Sequence, residues 1–258
     1  MYWVTTVKLP MMRLSLAGAV LLMAAACSGP ESPGGIHDPY ERTNRSIHEA
    51  NKASDRYFVR PASQVYGNAV PTPVRRSISN FAENLGSPQY VANDVLQGNI
   101  DNAGHNFFRF LVNSTIGVFG LFDPASGSFG LEGRATGFAD TLAVWGVREG
   151  AYQELPLFGP STERDTVGFL VDLATNPIGA LVDDGDDMAA ASSLPALLNT
   201  RYEQTDTIDG ILYESADSYA QARLFYLESR RFRLSDGEAS TGAGEDLYDE
   251  VYGDIYDE

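Results

Sequence analysis

Apolar residues recur every three or four positions between residues 40 and 115, which is the spacing of an amphipathic α-helix. The first repeating face lies within Glu41–Phe58, and a second follows Pro73. The two faces consist of Ile47, Ala50, Ser54 and Phe58, and then of Val74, Ile78, Phe81 and Leu85. Helices this short are marginal in water when isolated. We therefore expect them to pack together on a shared surface.

Proline and glycine residues predict where these helices begin and end. Thr72 followed by Pro73 is typical of an N-cap with proline at the first helical position, and Gly86 is expected to end that helix. Pro88, preceded by serine, predicts the start of a separate helix. Asn99 is expected to cap a longer one.

The segment Phe107–Phe122 is apolar on all sides, with Arg109 as its only charged residue. A helix of this kind is buried either in a large protein core or in lipid. Gly117 and Gly120 interrupt the segment, which is shorter than a membrane-spanning helix. A segment lying in the plane of a membrane or entering it half way fits this length better, and a core helix is an equally open interpretation.

A second apolar stretch, residues 138–168, is broken by glycine and proline and cannot form one helix. It carries Trp145, Leu157 and Phe158, although exposed loops are normally polar. It must therefore lie against protein or against lipid. A core-packed connection is the commoner interpretation of such a loop.

The C-terminal part contains one more strong helical pattern, within residues 207–232. Thr162 and Asp165 resemble a capping box before an earlier helix. Alternation with period two is scarce throughout, so no β-sheet is expected and the fold class is predicted to be all-α. Residues 235–258 are rich in acidic residues and are expected to be a disordered tail.

The first 26 residues are predicted to be a lipoprotein signal peptide. A basic lead precedes a 13-residue apolar run from Leu14 to Ala26, too short to span a bilayer. Cys27 follows this run, is the only cysteine of the chain and resembles the lipidated cysteine of a bacterial lipobox. A plain secretory signal cut near Ala26 is the alternative. Residues 27–38 then form a lipidated flexible tether, and residues 39–234 form the folded domain.

The composition excludes several classes of function. The formal net charge of −17 leaves no basic stripe for nucleic acid. No GxSxG elbow, HExxH motif, CxxC pair or P-loop is present, so we expect no catalytic residues, no metal site and no cofactor.

Several stretches together resemble the MlaA (VacJ) outer-membrane lipoproteins of Gram-negative bacteria. They are DPYE at 38–41, NDVLQG at 93–98, RFLVNSTIGVFGLFDPA at 109–125, FADTLAVWGV at 138–147 and LPLFGPSTERD at 155–165. With further matches, the resemblance covers about residues 38–234 in family order. The long N-terminal lead and the tail depart from the family pattern.

The resemblance implies a compact, ring-like bundle of short helices in the inner leaflet of the outer membrane, with a polar central channel. It also implies removal of misplaced phospholipids from the outer leaflet and their transfer to a periplasmic carrier such as MlaC. The implied partners are phospholipid, the outer membrane, a trimeric porin and that carrier. The implied location is the outer membrane, lipid-anchored on the periplasmic side.

The candidate residues for the lipid channel or for membrane contact come from the two apolar stretches. They are Phe107, Phe108, Phe110, Leu111, Phe119, Trp145 and Phe158. Two other classes of function remain open. A structural lipoprotein that scaffolds porins is the alternative, and a lipid hydrolase would need a nucleophile and a base that the sequence does not identify.

The lipobox generates the first prediction. Because Cys27 is the only possible acylation site, Cys27→Ala should abolish labelling of the protein by a radioactive fatty acid. The variant should either lose its lipid anchor or keep its signal uncleaved. Continued labelling of this variant would contradict the assignment.

Overall fold

The computed structural model describes residues 36–175 and 185–235. For residues 185–190 it describes the backbone only. The predicted signal peptide, Cys27 and the tail beyond Ser235 lie outside the described residues. The described part is mainly helical, which confirms the all-α prediction. Its helices are α1 (Glu41–Ser54), α2 (Arg60–Ala69), α3 (Thr72–Leu96), α4 (Ile100–Thr115), α5 (Pro124–Phe129), α6 (Phe138–Val144), α7 (Glu163–Thr175), α8 (Gly185–Glu203), α9 (Thr205–Asp209) and α10 (Ser218–Leu234). Single π-helical turns at Asp55–Val59 and Gly210–Glu214 follow α1 and α9.

The structure also contains a small β-sheet, so the prediction of no sheet was wrong. Strands β1 (Tyr152–Leu155) and β2 (Gly159–Thr162) form an antiparallel hairpin, with Tyr152 paired to Thr162. Tyr152 and Glu154 point inwards and are buried. A search for alternating apolar residues misses this strand because one of its two inward positions holds a carboxylate.

Helix α3 runs without interruption through Pro88, whereas the sequence predicted a break at Gly86. The Ser87 hydroxyl donates to the Glu83 carbonyl within the helix. Helix α3 also packs along both α4 and α8. These tertiary contacts hold one 25-residue helix together across the weak point.

The single helix predicted within residues 207–232 is in fact broken. The chain leaves the helical conformation at Ser215, where φ is −76° and ψ is 149°. The Asp217 side chain then caps α10 by accepting from the Ala220 amide, and it also pairs with Arg45 of α1. The predicted cap at Asn99 is confirmed, because its side chain accepts from the Asn102 amide.

The interior of the described residues is mainly polar. On α4 the buried side chains are Ala103, Asn106, Arg109 and Asn113, while the apolar side chains on the opposite side of the helix are exposed. On α1 the buried residues are Asn44 and His48, not the apolar face that the periodicity defined. Helix α4 is therefore amphipathic, contrary to the expectation of a helix apolar on all sides, and its polar face is the buried one.

Buried ions hold this interior together in pairs. The Arg230 guanidinium contacts both oxygens of Asp165, at 2.8 Å and 2.9 Å, and also pairs with Asp140. The Tyr226 hydroxyl donates to the same Asp165 carboxylate. Burial disfavours the charged form of Asp165, but the hydrogen bonds and charge of Arg230 outweigh burial and lower its pKa to about 2.

Asp165→Asn should lower the free energy of unfolding by about 3 kcal/mol, because it leaves the buried Arg230 only partly paired. Glu41→Gln is the matched control, since its ion pair with Arg45 is exposed and its loss should destabilise the fold far less than the loss of Asp165. Denaturation followed by circular dichroism in detergent measures both. Equal effects of the two variants would contradict the assigned role of Asp165.

The lowered pKa of Asp165 also predicts a dependence on pH. A carboxyl whose pKa is lower in the folded state stabilises the fold above its unfolded pKa, and that contribution is lost as the pH falls from about 4 to about 2. It should amount to about 2 kcal/mol in the unmodified protein. The Asp165→Asn variant should lack this part of the acid sensitivity, and an unchanged acid profile would rule out the assignment.

Candidate functional site

A cavity of about 430 Å³ lies between α1, the β-hairpin, α8, the segment of α9 with its π-turn, and α10. Helix α1 and the following π-turn contribute a polar wall that includes His48, Asn51, Lys52 and Asp55. The hairpin contributes Glu154 to the same wall. The cavity volume lies in the range of small-molecule sites in proteins.

Glu154 is the centre of the polar wall. Its carboxylate accepts from the Tyr152 hydroxyl at 2.6 Å and from the Asn51 amide at 3.4 Å. The His48 Nδ1 atom lies 3.3 Å from the same carboxylate, and both side chains are almost fully buried. Burial and the bond to Glu154 raise the pKa of Tyr152, so its hydroxyl remains a donor.

A second charged group lies where α8 meets the π-turn after α1. Arg201 makes a bidentate contact with Asp55, with both distances 2.8 Å, and its Nη2 atom also lies 2.6 Å from Asp209. Burial opposes ionisation of Asp55, but hydrogen bonds from Arg201 and Tyr213 outweigh it and lower the pKa. Burial and the bond to Asp55 raise the pKa of Tyr213 to about 12.

The remaining wall of the cavity is apolar. It is formed by side chains from the hairpin tip, α8, the second π-turn and α10, including Leu157, Phe158, Leu197, Ile211 and Phe225. The cavity is thus amphipathic, with charged and amide groups on one side and aliphatic and aromatic groups on the other. Such a surface suits a ligand that has both a polar end and an apolar body.

The candidate residues from the apolar stretches lie mainly on the exterior. Among them Phe110 is half-buried, and the others are exposed, with Phe119 the most exposed at 74%. The exposed members are Phe107, Phe108, Leu111, Phe119, Trp145 and Phe158. Only Phe158 of this set also lines the cavity. Its ring also packs on Phe169, which does not line the cavity, with ring centroids 4.9 Å apart.

The loop after α4 presents its apolar side chains outwards through an unusual backbone. Val118, Phe119 and Gly120 all have positive φ, and left-handed conformations cost a non-glycine residue about 1–2 kcal/mol each. Asn84 supports the loop by donating to the Phe119 carbonyl at 3.4 Å and to the Ser114 hydroxyl at 3.0 Å. The tip of the β-hairpin also presents an apolar side chain outwards from a left-handed backbone, since Leu157 has positive φ and is 80% exposed.

Exposed apolar residues of this size and number are rare on proteins surrounded by water. No helix among residues 36–175 and 185–235 combines the length and hydrophobicity needed to cross a bilayer. The apolar exterior therefore consists of short helices and loop tips. In the same ranges, no group of three or more acidic, histidine or cysteine side chains is arranged to hold a metal ion.

Sequence reasoning missed the polar side of the cavity. His48, Lys52 and Glu154 carry no motif, and His48 and Glu154 meet although 106 positions separate them. A signal was nevertheless present, since asparagine, histidine and lysine recur at helical spacing in Asn44, His48, Asn51 and Lys52. That spacing marks a polar face, and in this fold the polar face is the buried one.

Comparisons with known proteins identify relatives over most of this chain. A model of the MlaA lipoprotein family matches residues 36–233. The intermembrane phospholipid transport system lipoprotein MlaA of Shigella flexneri is 32% identical over 234 residues, which is 90% of this chain and 91% of that protein. The protein of the same description from Escherichia coli (strain K12) shows the same identity and coverage.

A solved structure gives the corresponding three-dimensional match. It comes from work on the structural basis for maintenance of bacterial outer membrane lipid asymmetry. Its TM-score with this chain is 0.67 at 32% sequence identity, covering 76% of this chain and 98% of that chain.

Proposed function

The chain belongs to the MlaA lipoprotein family, and we propose that it takes misplaced phospholipids from the outer leaflet of the outer membrane and passes them to a periplasmic carrier. Its function is in intermembrane phospholipid transport and the maintenance of outer-membrane lipid asymmetry. As a lipoprotein of this system it belongs to the cell envelope. Outer-membrane placement, lipid-anchored through Cys27, is part of the proposal.

The observation that carries the proposal is the amphipathic cavity inside a protein with an apolar exterior. The exposed members of the candidate set, Phe107, Phe108, Leu111, Phe119, Trp145 and Phe158, are the proposed membrane-facing residues. A bilayer leaflet would cover them, because water tolerates few such patches. Phe110, the remaining member of the candidate set, is half-buried.

The cavity supports transport of an amphipathic lipid. Its apolar wall can hold acyl-chain carbons, while its polar wall can replace water around a head group. The volume of about 430 Å³ accommodates part of a diacyl lipid, so the rest of the molecule would extend from the opening. We propose that this cavity is the polar channel expected from the family resemblance.

Two protein partners are proposed on that resemblance, namely a trimeric porin that holds the body in the membrane and an MlaC-like carrier that receives the lipid. The acidic tail, residues 235–258, is a candidate contact for a basic surface on one of them. The alternative function is a structural lipoprotein that scaffolds porins. That function would need the apolar exterior but not the cavity.

A substitution that fills the cavity separates transport from scaffolding. Leu197→Trp places a larger side chain on the cavity wall, so we expect the purified mature protein to retain several-fold less phospholipid, measured as organic phosphate per protein. Leu194→Trp is the matched control, since Leu194 lies on the same helix, is 60% exposed and does not line the cavity.

The Leu197→Trp and Leu194→Trp variants should also differ in their ability to replace the protein in cells that lack their own copy of it. Leu194→Trp should restore the normal low level of phospholipid in the outer leaflet, whereas Leu197→Trp should not, although both should be present in the membrane in equal amounts. Full restoration by both variants, with no phospholipid on the purified protein, would favour scaffolding and contradict the proposed transport.

A further inference from the structure

Lys52 differs from every other cation of the folded domain. It is the only lysine after the predicted signal peptide, since the chain contains only Lys8 besides it. Its side chain is half-buried and lines the amphipathic cavity. Its Nζ atom donates to the Ser218 hydroxyl oxygen at 3.0 Å, and it forms no ion pair with any residue of the described ranges.

Among the described residues, the one other lysine or arginine side chain that lines the cavity is already neutralised. Arg201 is paired with Asp55 and Asp209, and although its Nη1 atom lacks a hydrogen-bond partner within the described part, that atom is enclosed by protein. Arg60 is paired with Asp209 as well. Within residues 36–175 and 191–235, Lys52 is therefore the cavity-lining lysine or arginine that forms no ion pair with a carboxylate. An anionic group of a ligand could supply the missing partner.

A chain of hydrogen bonds fixes the position of the Lys52 ammonium. Because the ammonium can only donate, Ser218 accepts from it and can donate its own proton to His48 Nε2, 3.0 Å away. The His48 Nδ1–H then donates to Glu154, which is held by Tyr152 and Asn51. A fixed ammonium loses less conformational entropy when it binds an anion.

The order serine, histidine, glutamate is also that of a hydrolytic triad. Ser218 could therefore be a nucleophile or could position Lys52, and its access to a ligand distinguishes the two roles. A nucleophilic serine must reach the carbonyl carbon of its substrate. Ser218 is only 6% exposed and is not part of the cavity wall, while Lys52, which contacts its oxygen, is. The arrangement thus presents the ammonium rather than the hydroxyl to a ligand.

We propose that Lys52 binds the phosphate group of the transported phospholipid, with Ser218, His48 and Glu154 as positioning residues behind it. The inference rests on the proposed function and assigns the head-group end of that cavity. The acyl chains would lie on the wall that contains Leu157 and Phe225. A hydrogen bond between an ammonium and a phosphate is charge-assisted, and it strengthens where water is excluded.

The first test compares two lipids with the same acyl chains, phosphatidylglycerol and diacylglycerol, which lacks the phosphate. Purified mature protein is incubated with both in mixed micelles, separated by gel filtration, and its bound lipids are quantified by mass spectrometry. Lys52→Met should lower the ratio of retained phosphatidylglycerol to diacylglycerol by about tenfold or more. Lys52→Arg, which keeps the charge, should restore most of the ratio.

Arg42→Met is the matched control. Arg42 lies on the same helix, is exposed and makes no ion pair within the described ranges, so its loss removes the same charge away from the cavity. Its lipid ratio should stay at the unmodified value. Retention of diacylglycerol by Lys52→Met shows that the cavity is still folded, so a lowered ratio can be attributed to the phosphate.

Chemical labelling of the Lys52 amine provides a second test, on the protein without substitutions. Because Lys52 is the only lysine of the mature chain, an amine-reactive reagent monitored by peptide mass spectrometry reports on this side chain alone. Phosphatidylglycerol should slow modification of Lys52 several-fold more than diacylglycerol does. Equal protection by the two lipids would overturn the inference.

The outcomes separate this inference from the proposed function. If unmodified protein retains phosphatidylglycerol and Lys52→Met retains it in the same ratio, the assignment of Lys52 is wrong and the transport proposal stands. If unmodified protein retains neither lipid, the transport proposal itself fails. Release of fatty acid by unmodified protein, abolished in Ser218→Ala, would overturn the inference in favour of a hydrolytic serine.

Discussion

The structure depends on the pairing of charges that are buried inside it. Arg109, Arg201 and Arg230 each lie at least nine-tenths buried and each contacts two carboxylates. Leaving one such charge unpaired costs about 3–5 kcal/mol, a large part of the 5–15 kcal/mol by which a typical domain is stable. These ion pairs also join segments far apart in sequence, as Arg201 and Asp55 do across 146 positions. They therefore fix the topology as well as the stability.

The polar interior explains the apolar exterior. Short helices have two faces, and when the polar face is turned inwards the apolar face must be turned outwards, as on α4. In water this arrangement would be unfavourable, because each Å² of apolar surface that stays exposed forgoes about 25 cal/mol of stabilising free energy. In a lipid leaflet the same surface carries no such penalty. In a leaflet, the cavity would provide hydrogen-bonding groups to a polar head group, which the surrounding acyl chains cannot provide.

The sequence predicted the helical class and the cap at Asn99, because capping is a local property of a few neighbouring residues. It did not predict which helix face is buried, since periodicity shows that a helix has two faces but not which medium surrounds it. It also missed the hairpin, where Glu154 occupies an inward position, and the continuation of α3 through Pro88. These features depend on contacts between distant segments.

The cavity was the least predictable part for the same reason. His48, Lys52 and Glu154 gain their roles only when α1, the hairpin and α10 come together around Ser218. The apolar candidates were easier to find, because Phe107, Trp145 and Phe158 are conspicuous in loops and near glycines. The sequence alone thus identified the surface more readily than the chemistry inside it.

The most direct test of the inverted arrangement uses Trp145, the only tryptophan after the predicted signal peptide. It is 52% exposed and its indole nitrogen donates to the Leu96 carbonyl, so its ring is held in place on the exterior. With the mature protein in phospholipid vesicles, brominated acyl chains should quench its fluorescence strongly, while aqueous iodide should quench it weakly. Strong quenching by iodide and none by brominated lipid would contradict the account.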